Sequence, residues 1–176
     1  MIRPPLLLVT LFLSLALAGC GSRSFGNKID DQFIPSRVSE SIAKANPGLS
    51  QGSHIVVTSY NGVVLLAGQT PTAELKSIAE RAARTTSGVR IVHNDLQVAQ
   101  PSSALARSND LLLTTKIKTQ ILADNSISGS DIKVITENGI VYMLGLVTRQ
   151  QANLSVNLIQ GVDGVQKIVK LFEYTN

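Results

Sequence analysis

Few residues in this 176-residue chain could do chemistry, and their spacing excludes the common catalytic mechanisms. Neither His54 nor His93 has a second histidine, a cysteine or a carboxylate at metal-ligand spacing. No G-x-S-x-G elbow, H-E-x-x-H zinc motif, C-x-x-C pair or P-loop occurs. Asp30-Asp31 and Asp163 are isolated acids near turns or the N-terminal segment, the pattern of solvated or capping carboxylates. These features point away from an enzyme, and no metal or cofactor is expected. A contact surface is the better expectation, and the stretch from Asp110 to Ala123 is where it would lie. At helical spacing, Leu113, Ile117 and Ile121 share one face. Leu111 and Leu122 point roughly the other way, Leu112 sits to the side, and Lys116 and Lys118 flank them. Leucines beside lysines on an outward face suit contact with an anionic bilayer. The same leucines would equally suit packing against the rest of the chain, and the spacing does not separate the two.

The elements that would position this helix follow from composition and pattern. Apolar residues make up 44% of the chain, aromatics 4%, and tryptophan is absent. The net charge of +4 is scattered, with no run of lysine or arginine, so no nucleic-acid patch is expected. At the N-terminus, Arg3 precedes an apolar run, Leu6 to Ala18, too short to cross a bilayer as a helix. The run ends in Leu17-Ala18-Gly19-Cys20, which resembles the lipobox of bacterial lipoproteins. By that resemblance residues 1–19 are a signal peptide, and Cys20 is lipidated as the first residue of the mature chain. Cys20 is the only cysteine, so no intramolecular disulfide forms. Residue 21 is Gly, not Asp, which by the same resemblance favours the outer membrane. Residues 20–34 then read as a lipidated tether.

Beyond the tether the chain repeats itself. Val57 to Gly68 returns, altered, as Val134 to Gly145, with Asn61-Gly62 matched by Asn138-Gly139. Two apolar runs joined by Asn-Gly form a strong hairpin signal, because a type I′ turn needs positive φ at both central residues. Around each hairpin the order is the same. A short helix is predicted over Ser36–Ala45, with Val38, Ile42 and Ala45 on one face and Asn46-Pro47-Gly48 as its stop. A second helix follows over Pro71–Arg84, and a strand over Val89–Val98 closes the unit. In the second half the helix from Asp110 precedes the hairpin. Thr148 with Gln151 three residues on makes a capping box, and Val165 to Tyr174 is the last strand. The expected fold is α+β: two α-β-β-α-β units over residues 35–99 and 109–176, each a three-stranded mixed sheet with two helices. Residues 100–108 are read as a linker.

Strand faces carry a further expectation. Val63 to Ala67 is apolar on both faces, the pattern of a strand covered on both sides. Either the two helices lie on opposite faces, or one face packs on the other unit. In the second unit Lys133 and Glu137 interrupt one face, which is expected to be partly wet.

Two such units, each carrying V-x-x-x-N-G-x-V-x-x-x-G, resemble BON domains, and the resemblance covers the chain from about Ile29. With the lipobox in front, the whole is similar to the dual BON-domain outer-membrane lipoproteins. The resemblance implies a lipid-anchored protein on the periplasmic side of the outer membrane. It would bind anionic phospholipid through its second unit, perform no catalysis and support outer-membrane integrity. It favours Leu111, Leu112, Lys116, Lys118 and Leu122 as the binding residues. Position 112, where an aromatic anchor would suit a membrane interface, is Leu. The alternative is a structural adaptor that binds another envelope protein or peptidoglycan through a sheet edge or the groove between units.

Overall fold

A computed structural model of the chain describes residues 25–175, with side chains described from Asp31 on. The first unit comprises α1 (Phe25–Ala45), the short α2 (Pro47–Gly52), β1 (His54–Tyr60), β2 (Val63–Thr70), α3 (Ala73–Arg84), β3 (Ile91–Asn94) and β4 (Gln97–Val98). The second comprises α4 (Ala104–Ala123), a 3-10 turn, β5 (Ile132–Glu137), β6 (Ile140–Val147), α5 (Arg149–Ile159) and β7 (Lys167–Tyr174).

Each hairpin forms as its Asn-Gly demands. Asn61 and Gly62 have φ of 52° and 74°, and Asn138 and Gly139 have 51° and 73°. β1 pairs with β2 antiparallel, Tyr60 opposite Val63, and β5 pairs with β6 with Glu137 opposite Ile140. A parallel strand then joins the other edge of the hairpin's second strand: β3 and β4 along β2, and β7 along β6. β3 and β4 are the expected closing strand in two pieces. Asp95 and Leu96 leave the ladder between them, and Leu96 is buried. Gly68 on β2 faces the strand start so closely that a Cβ there would lie 2.0 Å from the His54 carbonyl oxygen.

The two long helices of each unit cover the same face of its sheet. Ile34, Val38 and Ile42 of α1 meet Val64, Leu66, Val92, Ala79 and Ala83. Ile117 and Ile121 of α4 meet Val134, Val141, Met143, Ala152 and Ile159. The second face of each sheet packs on the other unit. Tyr60, Val63, Leu65 and Ala67 bury against Tyr142, Leu144, Val169 and Leu171. The apolar run on β2 is therefore sandwiched between its own helices and its neighbour's sheet.

This junction corrects the expectation of a wet face. Lys133 Nζ donates to the Ser59 carbonyl oxygen at 3.1 Å. Glu137 is buried, accepts from Gln69 Nε2 at 2.8 Å, and lies 3.3 Å from His54 Nε2. The Tyr142 hydroxyl donates to Asp95 at 2.5 Å. Burial, and then that carboxylate, push the Tyr142 phenol well above its ordinary range. Lys133 and Glu137 on β5 are thus cross-unit contacts, each with a partner on the first unit.

Two segment boundaries also differ. Residues 25–34, read as tether, are the first part of α1. Pro35 lies inside that helix. Residues 104–108, read as linker, are the first turn of α4, opened by Ser103, whose hydroxyl accepts from Ala106 N at 3.2 Å. The segment holding Cys20 lies outside the described residues.

Candidate functional site

α4 is a 20-residue helix with no internal Gly or Pro. Its inner face carries Asp110, Leu113, Ile117 and Ile121 at spacings of three and four. The isoleucines enter the core. Asp110 does something the periodicity does not reveal: its carboxylate accepts from the turn amides of Asn138 (2.8 Å) and Gly139 (2.9 Å). Asp31 of α1 holds the first hairpin in the same way, accepting from Asn61 N at 2.5 Å and Gly62 N at 3.0 Å. Both acids are buried. Of the two roles expected of Asp31, solvated or capping, it has the second, and both acids cap hairpin turns from a helix side, across about thirty residues of chain.

The outer face of α4 carries four leucines. Leu105, Leu111, Leu112 and Leu122 are 73%, 67%, 69% and 66% exposed. At 100° per residue they fall inside an arc of roughly 160° bounded by Lys118 on one side and Lys116 on the other. Ser108, Thr115 and Thr119 lie in the same arc. Their hydroxyls donate to the carbonyls of Ala104 (3.0 Å), Leu111 (2.9 Å) and Thr115 (3.0 Å). The face therefore shows leucines whose neighbouring hydroxyl donors are already engaged within the helix. Lysines at its two borders can lay their stems along it and keep their charges at the rim.

The five residues singled out in sequence are all exposed on this face, and they divide between its flanks. Leu112 and Lys116 border a groove of roughly 500 Å³ that α4 forms with the second hairpin turn and the loop before β7. Leu111 and Lys118 look toward the first unit, bordering a groove with His54, Val56, Thr136 and Glu137. Leu105 belongs with them and escaped notice because Q-P-S-S-A-L-A-R-S reads as linker. Its signal is its position seven residues, two helical turns, before Leu112.

The other candidates have structural employment or none. His54 contacts Glu137 across the junction. His93 lies on β3, where burial, and secondly Arg84, pull its pKa down. Asp163 is exposed, at the rim of the groove beside Lys116. Among the described residues, no group of three or more His, Cys, Asp or Glu could hold a metal ion. Among them, too, no helix is long and apolar enough to cross a membrane.

Comparison with known proteins bears on the whole of this arrangement. The model of the BON domain matches twice, over residues 30–100 and 109–176. The chain is 37% identical over 152 residues to the outer membrane lipoprotein DolP of Haemophilus influenzae, covering 86% of this chain and 78% of that one. It is 34% identical, with the same coverage, to a 21 kDa hemolysin of Actinobacillus pleuropneumoniae. It is 28% identical to the osmotically-inducible protein Y of Escherichia coli, over 81% of this chain and 72% of that one. Two matches that together take in both sheets and the helices packed on them, with relatives at this identity, leave one reading: the chain belongs to the BON-domain family and carries two copies of the domain.

Proposed function

We propose that this chain is an outer-membrane lipoprotein, anchored through an acylated Cys20 and facing the periplasm, whose second domain binds anionic phospholipid through the outer face of α4. The name of the Haemophilus relative supports the location, as do the lipobox-like N-terminus and Gly21. The observation that carries the lipid reading is the outer face itself: four exposed leucines with a lysine at each border. The second domain has six basic and six acidic residues, so attraction to an anionic surface is local to these lysines. At about 1 kcal/mol per lysine near the surface, they orient the domain, and binding of the untethered chain rests mainly on burial of the leucines. Contact of this kind would serve outer-membrane integrity, and no reaction is required of the protein.

The test is co-sedimentation of the unlipidated mature chain with anionic vesicles. Leu112→Glu with Lys116→Glu removes about 1–2 kcal/mol of leucine burial and about 1 kcal/mol of charge attraction. Affinity should fall by roughly 30- to 150-fold with the circular dichroism unchanged, since neither side chain is buried. Full binding by the double variant would refute the site. Absence of binding by the unsubstituted chain would favour an adaptor role toward another envelope component.

A further inference from the structure

The groove beside Lys116 carries charge of both signs. Lys116 stands on its α4 side, and Asp163 and Gln166 on the side of the loop leading into β7. Leu112, Leu113 and Ala106 supply apolar wall, and Asn109 also lines the groove. Asp110 also lines the groove, but its carboxylate is engaged by the two turn amides. Among the described residues, neither Lys116 nor Asp163 takes part in an ion pair. Gln166 lies close over the second hairpin turn because residue 139 is Gly: a Cβ there would lie 2.8 Å from its side-chain nitrogen.

The first domain shows the same framework with its cations placed differently. Arg90 occupies the place of Gln166, since each donates its backbone N–H to the turn glycine, Gly62 or Gly139. The Arg90 guanidinium is tied down by the Asn61 carbonyl at 2.7 Å and by Glu173 at 2.9 Å. Arg37, six residues after Asp31 as Lys116 is six after Asp110, lies over Gly88 with its Nε and Nη2 buried. The two domains share a framework, and in the second the corresponding cation, Lys116, stands exposed on a groove that Asp163 also lines.

We propose that the groove receives the head group of a zwitterionic aminophospholipid, its phosphate toward Lys116 and its primary ammonium toward Asp163. This rests on the preceding reading that the α4 face meets the bilayer. The choice of occupant follows from charge complementarity. A purely anionic head group offers Asp163 no cation and is repelled by it. A choline head group offers a cation with no N–H to donate, whereas a primary ammonium has three. The border lysines draw the domain to an anionic surface, and the groove selects within that surface.

The experiment uses the mature chain with Cys20→Ser and two sets of vesicles. Both contain the same fraction of phosphatidylglycerol; the balance is phosphatidylethanolamine in one and phosphatidylcholine in the other. The protein should bind the ethanolamine vesicles two- to five-fold more tightly, the range of one exposed ion pair. Asp163→Asn should remove that preference while the protein stays folded, since Asp163 is exposed and, among the described residues, has no ion-pair partner to lose. A preference that persists in Asp163→Asn would trace to lipid packing and overturn the assignment. Equal binding to both vesicles by the unsubstituted chain would also overturn it, while leaving the α4 reading intact. Failure to bind either vesicle would overturn both.

Discussion

Replacing Asp110 by alanine should destabilise the protein by about 2–5 kcal/mol. The figure follows from what the carboxylate holds. It accepts from two backbone N–H groups, Asn138 at 2.8 Å and Gly139 at 2.9 Å, and is itself 7% exposed. A hydrogen bond to a charged group contributes about 1.5–3 kcal/mol, and a buried donor left without a partner forfeits its hydration as well. The two bonds share one side chain, so their losses overlap and the sum is an upper bound. Asp110→Asn keeps one acceptor oxygen and turns a donor toward a donor, so it should recover no more than about half of the loss. Urea denaturation followed by far-ultraviolet circular dichroism reads the change as a lower midpoint at constant slope. Asp31→Ala, which frees the matching turn in the first domain, should cost a similar amount. A loss below about 0.5 kcal/mol for Asp110→Ala, the range of ordinary surface substitutions, would refute the claim that this acid secures the hairpin.

Three further substitutions test the framework. Gly68→Ala places a Cβ 2.0 Å from the His54 carbonyl at a φ of +114°, and should cost more than about 2 kcal/mol or prevent folding. Gly161→Ala, where a Cβ meets nothing within 4 Å, should change the urea midpoint little. Tyr142→Phe tests the junction through pH. The folded-state pKa of this phenol is raised, so its contribution is fully present below the unfolded value of about 10 and is lost as pH rises beyond it. The stability of the unsubstituted protein should therefore fall above about pH 10 more steeply than that of Tyr142→Phe. Parallel curves would refute the buried phenol.

What the sequence disclosed depended on how local the cause was. The Asn-Gly turns, the capping box at Thr148 and the leucine-rich face of α4 are written in residues a few positions apart, and all are found. The start of α1 was hidden by Pro35 and by acids that resemble a solvated tether, because the task of Asp31 lies thirty residues downstream. A signal was available: Asp31, Ile34, Val38 and Ile42 return at identical spacing as Asp110, Leu113, Ile117 and Ile121. Lys133 and Glu137 looked wet because their partners, Ser59, Gln69 and His54, belong to the other domain. The groove beside Lys116 is tertiary in the same sense, joining α4 to Asp163, more than forty residues away.

Because each sheet turns one face to its own helices and the other to its twin, the molecule has a front and a back. On the front, α4 shows leucine. On the back, among the residues whose side chains are described, α1 shows Ser36, Ser39, Glu40 and Lys44 together with an exposed Phe33. The duplication has thus yielded a two-sided plate, not two equivalent modules. A side that lies against lipid leaves its opposite turned to the aqueous space, where a second meeting can take place without displacing the first.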